Sequence, residues 1–138
     1  MTSSCVVTTT KSVEKFEENR SIFRIHNKNN RRLQRHQVDG CRIVKGIKCD
    51  WLLVDENTKT EIFIELKGSD VDHAVNQICA SVSQLSSAPK KKWGYVICTK
   101  NPMSSTEVQN LTKQVAKSHG LKLRVKKTVH DEAIESLL

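Results

Sequence analysis

The chain has 138 residues, with 23 Lys plus Arg against 15 Asp plus Glu and a formal net charge of +8. Its 37% hydrophobic content suffices for a packed core, which excludes wholesale disorder, and its apolar runs fall far short of the about 20 residues a bilayer span needs. Behind Met1-Thr-Ser-Ser-Cys5 there is no apolar run, so no secretory leader is read and a cytoplasmic location is expected. Excess positive charge on one domain of ordinary size favours a polyanionic partner, most commonly nucleic acid. Cys5, Cys41, Cys49, Cys79 and Cys98 are odd in number and show no zinc spacing, so neither a disulfide framework nor structural zinc is expected.

Residues 1–9, rich in Ser and Thr, read as a loose terminus. From Thr10, Val13, Phe16 and Arg20 follow a helical period with Glu14, Glu17 and Glu18 among them. Residues 26–37 lack an apolar period and hold Lys28, Arg31, Arg32 and Arg35, which predicts a basic loop suited to phosphates. Three strand-like runs follow, Val38 to Val44, Lys48 to Asp55 and Thr60 to Gly68, separated by turns and most economically an antiparallel meander.

Val71, Ala74, Val75, Ile78, Val82 and Leu85 mark one face of a helix, with Ser69 and Asp72 able to form a capping box. Trp93 to Thr99 reads as a buried central strand. A second helix opens at Ser104 with Glu107 and stops at Gly120, and Leu121, Leu123 and Val125 then alternate with Lys122, Arg124 and Lys126. A short helix is expected over 131–138. The order predicts an α/β fold, an αβββαβ core with a mixed sheet flanked by helices.

The chemistry concentrates on Glu61-Ile-Phe-Ile-Glu-Leu-Lys-Gly68. A period of two puts Phe63, Glu65 and Lys67 on one face and Ile62, Ile64 and Leu66 on the other. Asp50 is a second acid within an apolar run, in Lys48-Cys-Asp-Trp-Leu-Leu-Val54. If the turn centres near Asn57 and Thr58, Asp50 and Glu65 become cross-strand neighbours. Two carboxylates so placed repel unless a cation lies between them, and oxygen ligands suit Mg²⁺ or Mn²⁺.

This pattern resembles the PD-(D/E)xK nuclease superfamily, whose hallmark is an acid opening the second core strand and an acid-x-lysine triplet on the third. Asp50, Glu65 and Lys67 match it, the resemblance covers about Val13 to Thr99, and Cys49 stands where the family usually has proline. The resemblance implies that Asp50, Glu65 and the Leu66 carbonyl hold a metal and that Lys67 orients or helps deprotonate the attacking water. It also implies a further acid on the first helix, for which Glu17 is the nearest candidate, and a role for Gln77, which follows His73 and precedes Ser81 at helical spacing.

The expected activity is a metal-dependent endonuclease acting on duplex or branched DNA, as a homodimer resembling a junction resolvase or a compact restriction enzyme. The rivals are a non-catalytic nucleic-acid-binding subunit and a protein-interaction domain whose acids form only an ion pair. Lys90, Lys91 and Lys92 are further candidates for phosphate contact. Three Phe, two Trp and one Tyr are few for a platform that stacks single-stranded bases.

Overall fold

The computed structural model describes residues 5–138. In chain order these form β1 (Val6–Thr9), β2 (Val13–Glu18), β3 (Ser21–His26), β4 (Leu33–Gln37), β5 (Trp51–Asp55), β6 (Glu61–Lys67), α1 (Val71–Leu85), β7 (Lys92–Cys98), α2 (Ser105–His119), β8 (Lys122–Lys127) and β9 (Val129–Ala133), followed by a 3₁₀ turn at Ile134–Ser136. A six-stranded sheet runs β1-β4-β5-β6-β7-β8, and a three-stranded sheet runs β2-β3-β9. Strands β4, β5 and β6 are antiparallel, whereas β6, β7 and β8 are parallel. The architecture is α/β with a mixed sheet.

Both helices pack on one face of the large sheet, where Val71, Val75, Ile78 and Val115 meet Leu52, Phe63 and Val96. The small sheet covers the other face, where Phe16, Phe23 and Ile25 meet Ile62, Ile64 and Tyr95. Each helix of a β-α-β crossover begins at the carboxyl end of its preceding strand. Lys67, Cys98 and Lys127 therefore share one end of the sheet, which is where open α/β sheets bind ligands.

Several expectations are corrected. The first helix is instead the strand β2, in which Glu14 and Phe16 point inward and Asn19 turns the chain at φ +54°. Glu14 hid the period of two, because a buried acid breaks apolar alternation. The meander exists, but its first strand is Leu33–Gln37, inside the expected basic loop, and 38–49 is a connecting segment. Residues 131–138 form strand β9 and a 3₁₀ turn rather than a helix, and Asp131 is held by Arg24 and His26. The α1 N-cap is Asp70, accepting from the His73 amide at 3.0 Å, not Ser69. The α2 capping box and the Gly120 stop are as read.

Cys5 and Cys41 form a disulfide. Pairing of β1 with β4 sets Val6 opposite His36 and so carries Cys5 to the segment after β4, a long-range contact that cysteine spacing does not reveal. Cys49, Cys79 and Cys98 are free. Residues 1–4 of the expected loose terminus lie outside the described residues, and 6–9 form β1. No described helix is long and apolar enough to cross a membrane.

Candidate active site

Strand β6 is buried from Glu61 to Leu66. Phe63 belongs to the helix-side core and Ile62, Ile64 and Leu66 to the opposite one, so Glu65 points toward the helix layer, as the period of two requires. The β5–β6 ladder pairs Trp51 with Ile64 and Leu52 with Phe63. That register brings Asp50 beside Glu65. The Asp50 amide donates to the Ile64 carbonyl at 3.1 Å, and the Asp50 carboxylate accepts from the Leu66 amide at 2.9 Å.

Glu65 is 2% exposed, and its only ion pair among the described residues is with Lys67, at 3.5 Å. Its Oε1 is buried without any partner. Burial, then the Asp50 charge beside it, pushes the Glu65 carboxyl up to about 8 against the pull of Lys67. Burial likewise pushes Asp50 up to about 6, opposed by the Leu66 amide. Two acids therefore share one lysine in a partly dry site, the kind of environment that marks functional carboxylates.

Helix α1 adds two polar groups from below. Ser81 is fully buried, and its hydroxyl accepts from the Cys49 amide at 2.8 Å. Gln77 donates to the Lys48 carbonyl at 2.9 Å and leaves its Oε1 buried and unpartnered. Both side chains hold the segment that delivers Asp50.

The expected acid Glu17 is exposed and pairs with Lys15 at 3.0 Å on the outer face of β2. Its neighbour Glu18 is instead the acid close enough to raise both Asp50 and Glu65. The Ser21 hydroxyl donates to the Lys67 carbonyl at 3.1 Å and ties the β2–β3 turn to the end of β6. A cleft of about 330 Å³ opens there, lined by Glu18, Arg20, Leu66, Lys67 and Thr99. Strand alternation, once β2 is known to be a strand, separates Glu18 from Glu17; helical spacing does not.

The basic candidates fall elsewhere. Arg31 grips Asp55 with two bonds, at 2.8 and 3.0 Å, and Arg32 pairs with Glu56 at 3.0 Å. Arg35 pairs with the buried Glu14 at 3.1 Å and lies over the rings of Phe16 and Trp51. Lys28 is exposed, with no ion pair among the described residues. Lys92 is level with Glu61, so Lys90 to Lys92 sit about 13 Å of strand from Glu65, at the opposite end of the sheet. Lys91 donates to the Leu138 carbonyl.

No family model, curated protein or solved structure matches the chain. Among the described residues no three His, Cys, Asp or Glu side chains form a metal-binding group. The set that converges is two carboxylates, with the Leu66 backbone between Glu65 and Lys67.

Proposed function

We propose that the chain is a metal-dependent endonuclease hydrolysing phosphodiester bonds in DNA, with Mg²⁺ or Mn²⁺ as cofactor and a restriction-endonuclease-like variant of the α/β fold. The observation that carries this reading is Glu65, almost wholly buried beside a second acid and with one oxygen lacking any donor. A structural ion pair accounts for one acid and one lysine. It leaves Asp50 and Glu65 Oε1 without a reason.

Asp50, Glu65 and the Leu66 carbonyl would hold the cation, since an all-oxygen set suits a hard ion. When bound, it supplies Lewis-acid stabilisation of charge on the phosphate and acidifies water. Asp50 is oriented for this by the Leu66 amide. Lys67, partly exposed at the cleft, can hold a proton or orient water beside the phosphate. Gln77 steadies the backbone leading to Asp50 through the Lys48 carbonyl. Glu18 supplies the further acid that the family resemblance assigns to a helix. In the same proposal the protein cuts as a symmetric homodimer and works in the cytosol.

The test is cleavage of linear, branched and single-stranded DNA, and of RNA, with Mg²⁺, Mn²⁺ or chelator. Asp50→Asn and Glu65→Gln should each abolish cleavage while leaving nucleic-acid binding intact. Unchanged cleavage by either variant would overturn the assignment.

A further inference from the structure

The segment 38–49 between β4 and β5 belongs to no strand or helix, yet its base is firmly held. The amides of Ile43 and Cys41 donate to the Val38 carbonyl at 2.9 and 3.2 Å, and Val38 and Ile43 are buried in the helix-side core. Cys41 is bound to Cys5, and at the other end the Lys48 carbonyl and Cys49 amide are held by Gln77 and Ser81. From this base the tip projects. Val44 is 69% exposed and Ile47 52% exposed. Gly46 reverses the chain between them at φ +88°, a conformation costly for any residue with a side chain.

Neither apolar side chain serves the core, and the tip carries Lys45 and Lys48 against the single acid Asp39, 3.9 Å from Lys48, while Arg42 is turned back onto the His36 ring. Asp50 follows the segment directly. An apolar tip beside cations, in the segment that leads directly into Asp50 of a candidate phosphodiesterase site, has a defined physical use. β-Branched side chains can wedge into a base step while neighbouring cations take the flanking phosphates, at least cost where stacking is already broken. A second copy of the same tip is a poorer occupant, because a two-fold contact would set like charges face to face.

We infer that Val44 and Ile47 form an apolar wedge, flanked by Lys45, that enters a kinked or branched point of duplex DNA beside the scissile phosphate. The substrate class rests on the nuclease reading. The wedge itself is tested without cleavage.

In chelator, affinities are measured for a continuous duplex and a branched duplex carrying an aminopurine at the junction, whose fluorescence rises on unstacking. The protein should prefer the branched DNA by about tenfold or more and brighten the probe. The double variant Val44→Ser/Ile47→Ser should lose the preference and the brightening. Lys45→Ala should weaken both DNAs alike and flatten the slope of log K against log salt by about one. A double variant that keeps preference and brightening overturns the inference. So does one that abolishes self-association in sedimentation while binding DNA as the parent does, which would assign the tip to a contact between copies. Preference and brightening without cleavage in any metal would sink the nuclease reading and leave the wedge standing. Cleavage without preference would do the reverse.

Discussion

Asp50 brackets Glu65, its amide bonding the carbonyl of Ile64 and its carboxylate bonding the amide of Leu66, one residue to either side. Two acids are thereby locked together at the mouth of the sheet, and the lock has a consequence for pH. Glu65 holds its proton up to about 8 in the fold, against an ordinary value of 4.5. A folded-state value raised in this way gives stability that is full below 4.5 and lost as pH rises through about 8. In chelator, melting temperature should therefore fall between about pH 5 and about pH 8, and Glu65→Gln should flatten that fall and melt higher than the parent at the alkaline end. His36 acts with the opposite sign. Burial and nearby Arg42 lower it to about 4, so it costs stability as pH drops from 6.5 toward 4, and His36→Gln should remove that acid-side loss alone. A parent curve that is flat between about pH 5 and about pH 8 would contradict the burial of an ionisable Glu65.

The arginines that looked like a phosphate clamp should behave as structure. Asp55 is 1% exposed and held by both Arg31 and Thr58, while Glu14 is 3% exposed and held by Arg35 and Thr9. Removing either arginine strands a buried carboxylate, so Arg31→Ala and Arg35→Ala should each cost about 2–4 kcal/mol in denaturant unfolding. Arg35→Ala also loses its stacking on Phe16 and Trp51. Neither should change the salt slope of DNA binding, and Lys28→Ala should leave stability unchanged. A parental midpoint for Arg31→Ala combined with a shallower salt slope would return this arginine to the phosphate-binding set.

The disulfide gives a third test. Cys5 and Cys41 are 36 residues apart, and closing a loop of that length constrains the unfolded chain by about 4 kcal/mol. Reductant, or Cys41→Ser, should lower the melting temperature, with Cys49→Ser as a control thiol outside the link. Equal melting with and without reductant would mean that the staple adds nothing to the fold.

What the sequence makes legible is local. Both helices, the buried strand Lys92–Cys98 and the β5–β6 register follow from periodicity and turn residues that act within a few positions. The register was enough to bring Asp50 to Glu65. What local patterning misses depends on distant partners. Glu14 is buried because Arg35 reaches it from β4, which disguised strand β2. Arg31 reads as a phosphate contact until Asp55 arrives from the next strand. Glu17 and Glu18 exchange roles because a strand alternates sides where a helix does not.

Lys67 separates an enzyme from an ion-pair scaffold. If its only task is to neutralise buried carboxylates, Lys67→Ala leaves Glu65 and Asp50 uncompensated, and above about pH 8, where Glu65 is ionised, stability should fall by about 3–5 kcal/mol, with or without metal. If the carboxylates are there for a cation, the variant should fold, fail to cleave, and still be stabilised by Mg²⁺ or Mn²⁺, by about 2.7 kcal/mol at a hundred times the dissociation constant. The lysine also holds the Glu65 carboxyl down, so removing it raises the proton affinity that the metal must overcome. The metal-induced rise in melting temperature should then grow with pH more steeply in Lys67→Ala than in the parent, while Asp50→Asn should lose the rise altogether. Melting curves insensitive to metal in both the parent and Lys67→Ala would favour the scaffold and overturn the metal site.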